Sequence, residues 1–126
     1  MIMIVGGAYQ GKRDLAKQRF GFSDSDIIDG GKCRTSELIN ARCIEHYELA
    51  VKRMISEKTD VLAFTEKLNC EVVIMNEIGC GIIPLGKNER EWREVTGRAG
   101  CIIAGKSETV YRVCCGIATV IKGEKI

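Results

Sequence analysis

A chain of 126 residues with a formal net charge of +2 has room for one hydrophobic core and too little charge imbalance to seek nucleic acid or an anionic membrane. Its 45% hydrophobic and 29% charged residues are those of a globular protein, and no uncharged apolar run approaches the length of a membrane span. Seven cysteines, none spaced C-x-x-C, stand beside a single histidine, which argues against a zinc site. Met1-Ile2-Met3 lacks the basic start of an export signal, so the thiols are expected to be reduced, in a cytoplasmic setting.

In chain order, Met1 to Val5 is apolar and reads as a buried strand. Gly6, Gly7, Ala8, Tyr9, Gln10, Gly11 and Lys12 follow as G-x-x-x-x-G-K, and a helix is expected from about Gly11 to Arg19, ended by Gly21. Strand, glycine-rich turn, lysine and helix form the order of a phosphate cradle. Gly6 and Gly11 would let backbone N–H groups turn inward, the helix would aim its positive end at the anion, and Lys12 would add a full charge. The next residue in such loops is Ser or Thr, whose hydroxyl ligates magnesium; Arg13 has no oxygen to offer and brings a positive charge.

Ile27-Ile28 predicts a short second strand with Asp29 at its C-terminal end. Asp29 there suits a magnesium-binding carboxylate, or alternatively stabilises the Asp-Gly-Gly turn. Thr35 or Ser36 is expected to cap one long helix, with Ile44, Tyr47, Val51, Met54 and Ile55 on its apolar face and His46 half-exposed in its middle. Asp60 predicts the start of another helix. Val72-Val73-Ile74-Met75 predicts a central strand buried on both faces, ending in Asn76-Glu77, with Ile78 to Pro84 as the loop beyond.

Asn76-Glu77 suits contacts to a ribose, a substrate hydroxyl or a metal-bound water, and Glu77 suits a general base or a cap on that loop. The spacing of Trp92, Val95, Thr96, Ala99, Ile102 and Ile103 predicts a helix from about Asn88 to Lys106. Arg90, Arg93 and Arg98 on it could meet the phosphates of a second ligand, or form a solvated face with Glu94 and Arg98 paired. Cys33 is read as structural. Residues 109–115 and 118–122 predict strands of a closing antiparallel hairpin. The expectation is an α/β domain over residues 1–126, with a mainly parallel sheet covered by helices and the loop, Asp29 and Asn76-Glu77 along one rim.

Through the loop, the block Asn76-Glu77-Ile78-Gly79-Cys80-Gly81-Ile82-Ile83-Pro84 and the run Arg90-Glu91-Trp92-Arg93-Glu94-Val95-Thr96-Gly97-Arg98, the chain resembles a known family. It is similar to the bifunctional adenosylcobinamide kinase / adenosylcobinamide-phosphate guanylyltransferases, and Gly116-Ile117-Ala118-Thr119-Val120-Ile121-Lys122 fits that family's last strand pair. The resemblance implies a RecA-like P-loop fold as one nucleotide-binding domain. It implies phosphoryl transfer from ATP or GTP to adenosylcobinamide, with Lys12 and Glu77 as catalytic residues and Mg²⁺ at Asp29. It also implies an oligomer, typically a trimer.

Three departures bear on this. Arg13 replaces the family's serine. The family's extra length, with its guanylylated histidine, falls between the first helix and the Ile27-Ile28 strand, so His46 does not match that histidine. Gly100-Cys101 stands where the family has Asn-Gln. Guanylyl transfer is therefore not expected, and a module that binds a nucleotide or corrinoid without chemistry is the alternative.

Overall fold

The computed structural model describes residues 1–78 and 86–123. The loop expected over Gly79 to Pro84 lies outside the described residues. Among the described residues six strands form one sheet: β1 (Ile2–Gly6), β2 (Ile27–Asp29), β3 (Cys43–Glu45), β4 (Val72–Asn76), β5 (Thr109–Cys114) and β6 (Ile117–Lys122). Their spatial order is β2-β3-β4-β1-β5-β6, with every neighbouring pair parallel except the β5–β6 hairpin. The helices are α1 (Lys12–Phe20), α2 (Thr35–Leu38), α3 (Tyr47–Ser56), α4 (Val61–Glu66) and α5 (Lys87–Lys106).

Consecutive residues of a strand point to opposite sides, and here both sides are covered. Met3, Val73, Met75 and Val110 pack on one side with Val51 and Met54 of α3, Val61 of α4, and Ala99 and Ile103 of α5. Ile4, Val72, Ile74, Tyr111 and Val113 pack on the other with Ala16 of α1 and Phe22. This explains why Val72 to Met75 are all buried. The two outer layers are joined to the sheet by polar ties as well. Lys106, ending α5, donates to the carbonyls of Glu66 and Leu68 at 2.6 Å and so closes the exposed end of α4. Asp60 Oδ1 accepts the Ala63 N–H at 3.1 Å, the expected cap of α4.

One expectation fails. The long helix foreseen from Thr35 through Ile55 is three elements: α2, β3 and α3. Cys43 to Glu45 form a strand between β2 and β4, with Cys43 in register with both Ile27 and Val72. The helical spacing misled because Ile44 on β3 and Tyr47, Val51 and Met54 on α3 all enter the same core. His46 is therefore not mid-helix. It sits at the turn between β3 and α3 in the left-handed region, φ 55° and ψ 44°. Arg34, not Thr35 or Ser36, occupies the N-cap position of α2.

Candidate functional site

A cavity of about 560 Å³ opens at the C-terminal ends of β1, β3 and β4, the rim where ligands of parallel sheets bind. Residues Ala8 to Asp14 form one wall; Glu45, His46, Ile74 and Asn76 form the other. The loop follows β1 directly. Gly11 takes φ 94° at the N-cap of α1, a conformation open to glycine at little cost, and Tyr9 also has positive φ with its ring fully exposed. The loop is held from behind by the β5–β6 turn. The Gln10 carbonyl accepts the Gly116 N–H at 2.9 Å, and Gln10 Oε1 accepts the Cys115 N–H. Gly6 differs from its expected part. It lies inside β1, and what it needs is closeness to β5 rather than a left-handed turn: a Cβ there would strike the Val113 carbonyl oxygen.

Lys12 begins α1 and is only 7% exposed. Its Nζ donates to the Gly7 carbonyl at 2.5 Å, so the ammonium lies beneath the loop. Burial lowers its pKa below 10.5, opposed by the charges of Glu48 and Glu77. Glu48, on α3, is 2% exposed; its Oε1 accepts the Asn76 N–H at 2.9 Å, and its Oε2 lies 3.6 Å from His46 Nδ1. Glu77 stands just past β4, its two oxygens meeting the Arg112 guanidinium at 3.1 and 3.2 Å. Trp92 of α5 donates to the Glu48 carbonyl at 2.7 Å, which fastens α5 to the start of α3.

Of the expected site residues, the cavity wall brings together Ala8, Tyr9, Gln10, Gly11, Lys12, Arg13 and Asn76. Gly6, Gly7, Glu77 and Asp29 do not line it; Asp29 Oδ1 accepts the Gly31 N–H at 2.8 Å, the turn-stabilising alternative. Arg98 pairs with Glu94 at 2.8 Å on the surface of α5, and burial raises the pKa of the Cys33 thiol. Glu45, His46 and Glu48 were not foreseen. All three follow from β3, which the helical spacing concealed.

Asp29, Glu45 and His46 each offer a ligand atom, and these atoms lie within 4.8 Å of one another. The fit to the magnesium ion of a P-loop is nevertheless poor. That ion takes the hydroxyl of the residue after the lysine, and here Arg13 stands in its place. Arg13 Nη1 lies 2.7 Å from Glu45 Oε2, so the carboxylate facing the loop is already met by a cation. Arg13 Nη2 lies 2.8 Å from Asp24 Oδ1, and both carboxylates hold the guanidinium protonated.

The sequence model of a family described as cobinamide kinase / cobinamide phosphate guanyltransferase matches residues 32–121. The chain belongs to this family. Two relatives are bifunctional adenosylcobalamin biosynthesis proteins CobU. That of Salmonella typhimurium is 32% identical over 75 residues, 58% of this chain and 41% of the relative. That of Escherichia coli is 29% identical over 77 residues, 60% of this chain and 42% of the relative. The matched stretch thus takes in about two-fifths of either relative. The family match begins after the loop, so the cradle at Gly6 to Lys12 rests on its own sequence and geometry. The observed order of strands and the closing hairpin agree with the P-loop fold expected of this family. Among the described residues no helix is long and apolar enough to cross a membrane.

Proposed function

We propose that this chain binds ATP or GTP with the phosphates on the loop Gly6 to Lys12, and that it serves the kinase step of corrinoid assembly. The observation that carries the nucleotide reading is the cavity at the strand ends, where the buried Lys12 and the N-terminus of α1 face one space. Amides at a helix start and a desolvated ammonium are what a triphosphate needs. Family membership supports the acceptor class, a hydroxyl of the adenosylcobinamide kind. In that reaction the hydroxyl oxygen forms a bond to the γ-phosphorus, the bond to the nucleoside diphosphate breaks, and the hydroxyl proton leaves to a base. Glu77, held in orientation by Arg112, is assigned that base; Asn76 is assigned a hydroxyl contact. Lys12 follows the charge on the transferring group, which makes positioning and electrostatics the larger part of catalysis.

Arg13 favours a second reading, in which the chain holds a nucleotide or a corrinoid without transfer. Calorimetry with ATP and GTP, combined with a transfer assay using γ-labelled nucleotide and cobinamide, separates the two. Label on cobinamide that disappears in Lys12→Ala is the expected result. Nucleotide binding with no label transferred at any divalent-ion concentration would replace the kinase by the binding module. No binding of either nucleotide would overturn the kinase and the nucleotide-binding module together, leaving only a module that holds a corrinoid.

A further inference from the structure

We propose that the Arg13 guanidinium takes over the electrostatic part of a P-loop's divalent cation, so that this site grips nucleoside polyphosphates without a metal ion. The inference rests on the nucleotide reading above and adds to it the identity of the counter-charge.

The geometry supplies three supports. Arg13 is the second residue of α1, lines the same cavity wall as Lys12, and reaches across to the end of β3. Its partner there, Glu45, also lines the cavity. An unneutralised carboxylate at that place would repel phosphate; at 2.7 Å the guanidinium offsets Glu45, while Asp24, its second partner, is shared with Lys17 at 2.8 Å, so the cluster is left with no net negative charge for a metal ion to offset. Glu45 and Asp24 fix the fork from two sides while engaging one N–H of each terminal nitrogen. A guanidinium carries five N–H donors in one plane, so donors are left over for phosphate oxygens. The side chain is 38% exposed, open to an incoming anion, yet it is anchored before the anion arrives.

The substitution after the lysine therefore has two linked effects. It removes the hydroxyl that would hold magnesium, and it installs a permanent charge beside the carboxylate that would share the ion. Selectivity follows. The site should take free ATP, GTP or pyrophosphate, whereas a metal-dependent loop takes the magnesium complex.

The test is calorimetric titration of ATP and of pyrophosphate into the full chain, in EDTA and in excess MgCl₂. The wild-type chain is expected to bind in EDTA with an affinity within about threefold of that in magnesium. Arg13→Ser is expected to lose at least about tenfold in EDTA, and to recover with magnesium because serine restores the hydroxyl ligand. Arg13→Lys, which keeps the charge but not the fork, is expected to stay indifferent to magnesium and to bind more weakly than wild type. Wild-type binding that requires magnesium would overturn the inference while leaving the nucleotide site standing. An Arg13→Ser chain that gains nothing from magnesium would also overturn it. Absence of binding in both buffers would overturn the nucleotide reading and this inference together.

Discussion

Replacing Lys12 by alanine is expected to weaken ATP binding by about ten- to a hundredfold, the worth of one charge-assisted contact in a desolvated site. The ammonium of Lys12 is buried and donates to the Gly7 carbonyl, so no neighbouring water can stand in for it with equal charge. Stability of the ligand-free chain should change much less. The lost bond to Gly7 is offset by removal of a charge whose burial is unfavourable, as the lowered pKa of Lys12 records. In the pH window between that lowered pKa and 10.5, the unfolded chain binds more protons than the folded one at this residue. Stability from Lys12 therefore rises with pH across the window, while phosphate affinity falls as the ammonium loses its proton. Wild-type ATP affinity, and the wild-type thermal midpoint less that of Lys12→Ala, followed together from neutral to alkaline pH, check both directions; taking the difference removes Cys43, Cys70 and Tyr47, whose burial raises their pKa values and lowers stability over the same range. Opposite slopes are expected; a fall of both together would mean that Lys12 supports the fold rather than the ligand.

Gly6→Ala is expected to destabilise the chain by about 3 kcal/mol, the upper end for forcing extra volume into packed structure. The added Cβ meets the Val113 carbonyl oxygen, which is backbone and cannot swing aside. Gly6 is the last residue of β1, in register with Asn76 on β4 and Val113 on β5. Its own carbonyl accepts the Glu77 N–H at 2.8 Å. Parting β1 from β5 there would displace the loop entry and the end of β4 at once. Urea unfolding should show a lower midpoint for Gly6→Ala, and the remaining folded fraction should bind nucleotide weakly. Gly7→Ala is the contrasting case, because a Cβ there meets only the flexible Gln10 side chain at 3.5 Å and should cost far less. Equal losses in the two variants would contradict the assignment of the strain to β5.

Much of this fold could be read from the residues. β4 announced itself by four consecutive apolar residues, which only a doubly covered strand can bury. The β1–loop–α1 unit was legible because glycine and lysine positions have few other uses at a strand end. α5 was legible from a stripe long enough to exclude coincidence. β3 was not, because three residues give no measurable period and Ile44 lies in phase with the helix behind it. The site suffered for that. Without β3, Glu45 and His46 had no reason to approach the loop, and Arg13 looked like a bare obstacle to magnesium rather than the partner of a carboxylate 32 positions along the chain. Asp29 and Glu77 were correctly placed at strand ends, yet their partners, the Gly31 amide and Arg112, are set by tertiary geometry that no local pattern carries.

The proposed function requires the segment from Gly7 to Arg13 to close around an anion. An NMR titration of the ¹⁵N-labelled chain with ATP reads that segment amide by amide. The largest shifts are expected at Gly7 to Arg13, with smaller ones at Glu45 and His46 across the cavity. Amides of Gly7 to Lys12 that stay in place at saturating ATP, with any shifts confined to other parts of the chain, would contradict the proposed function.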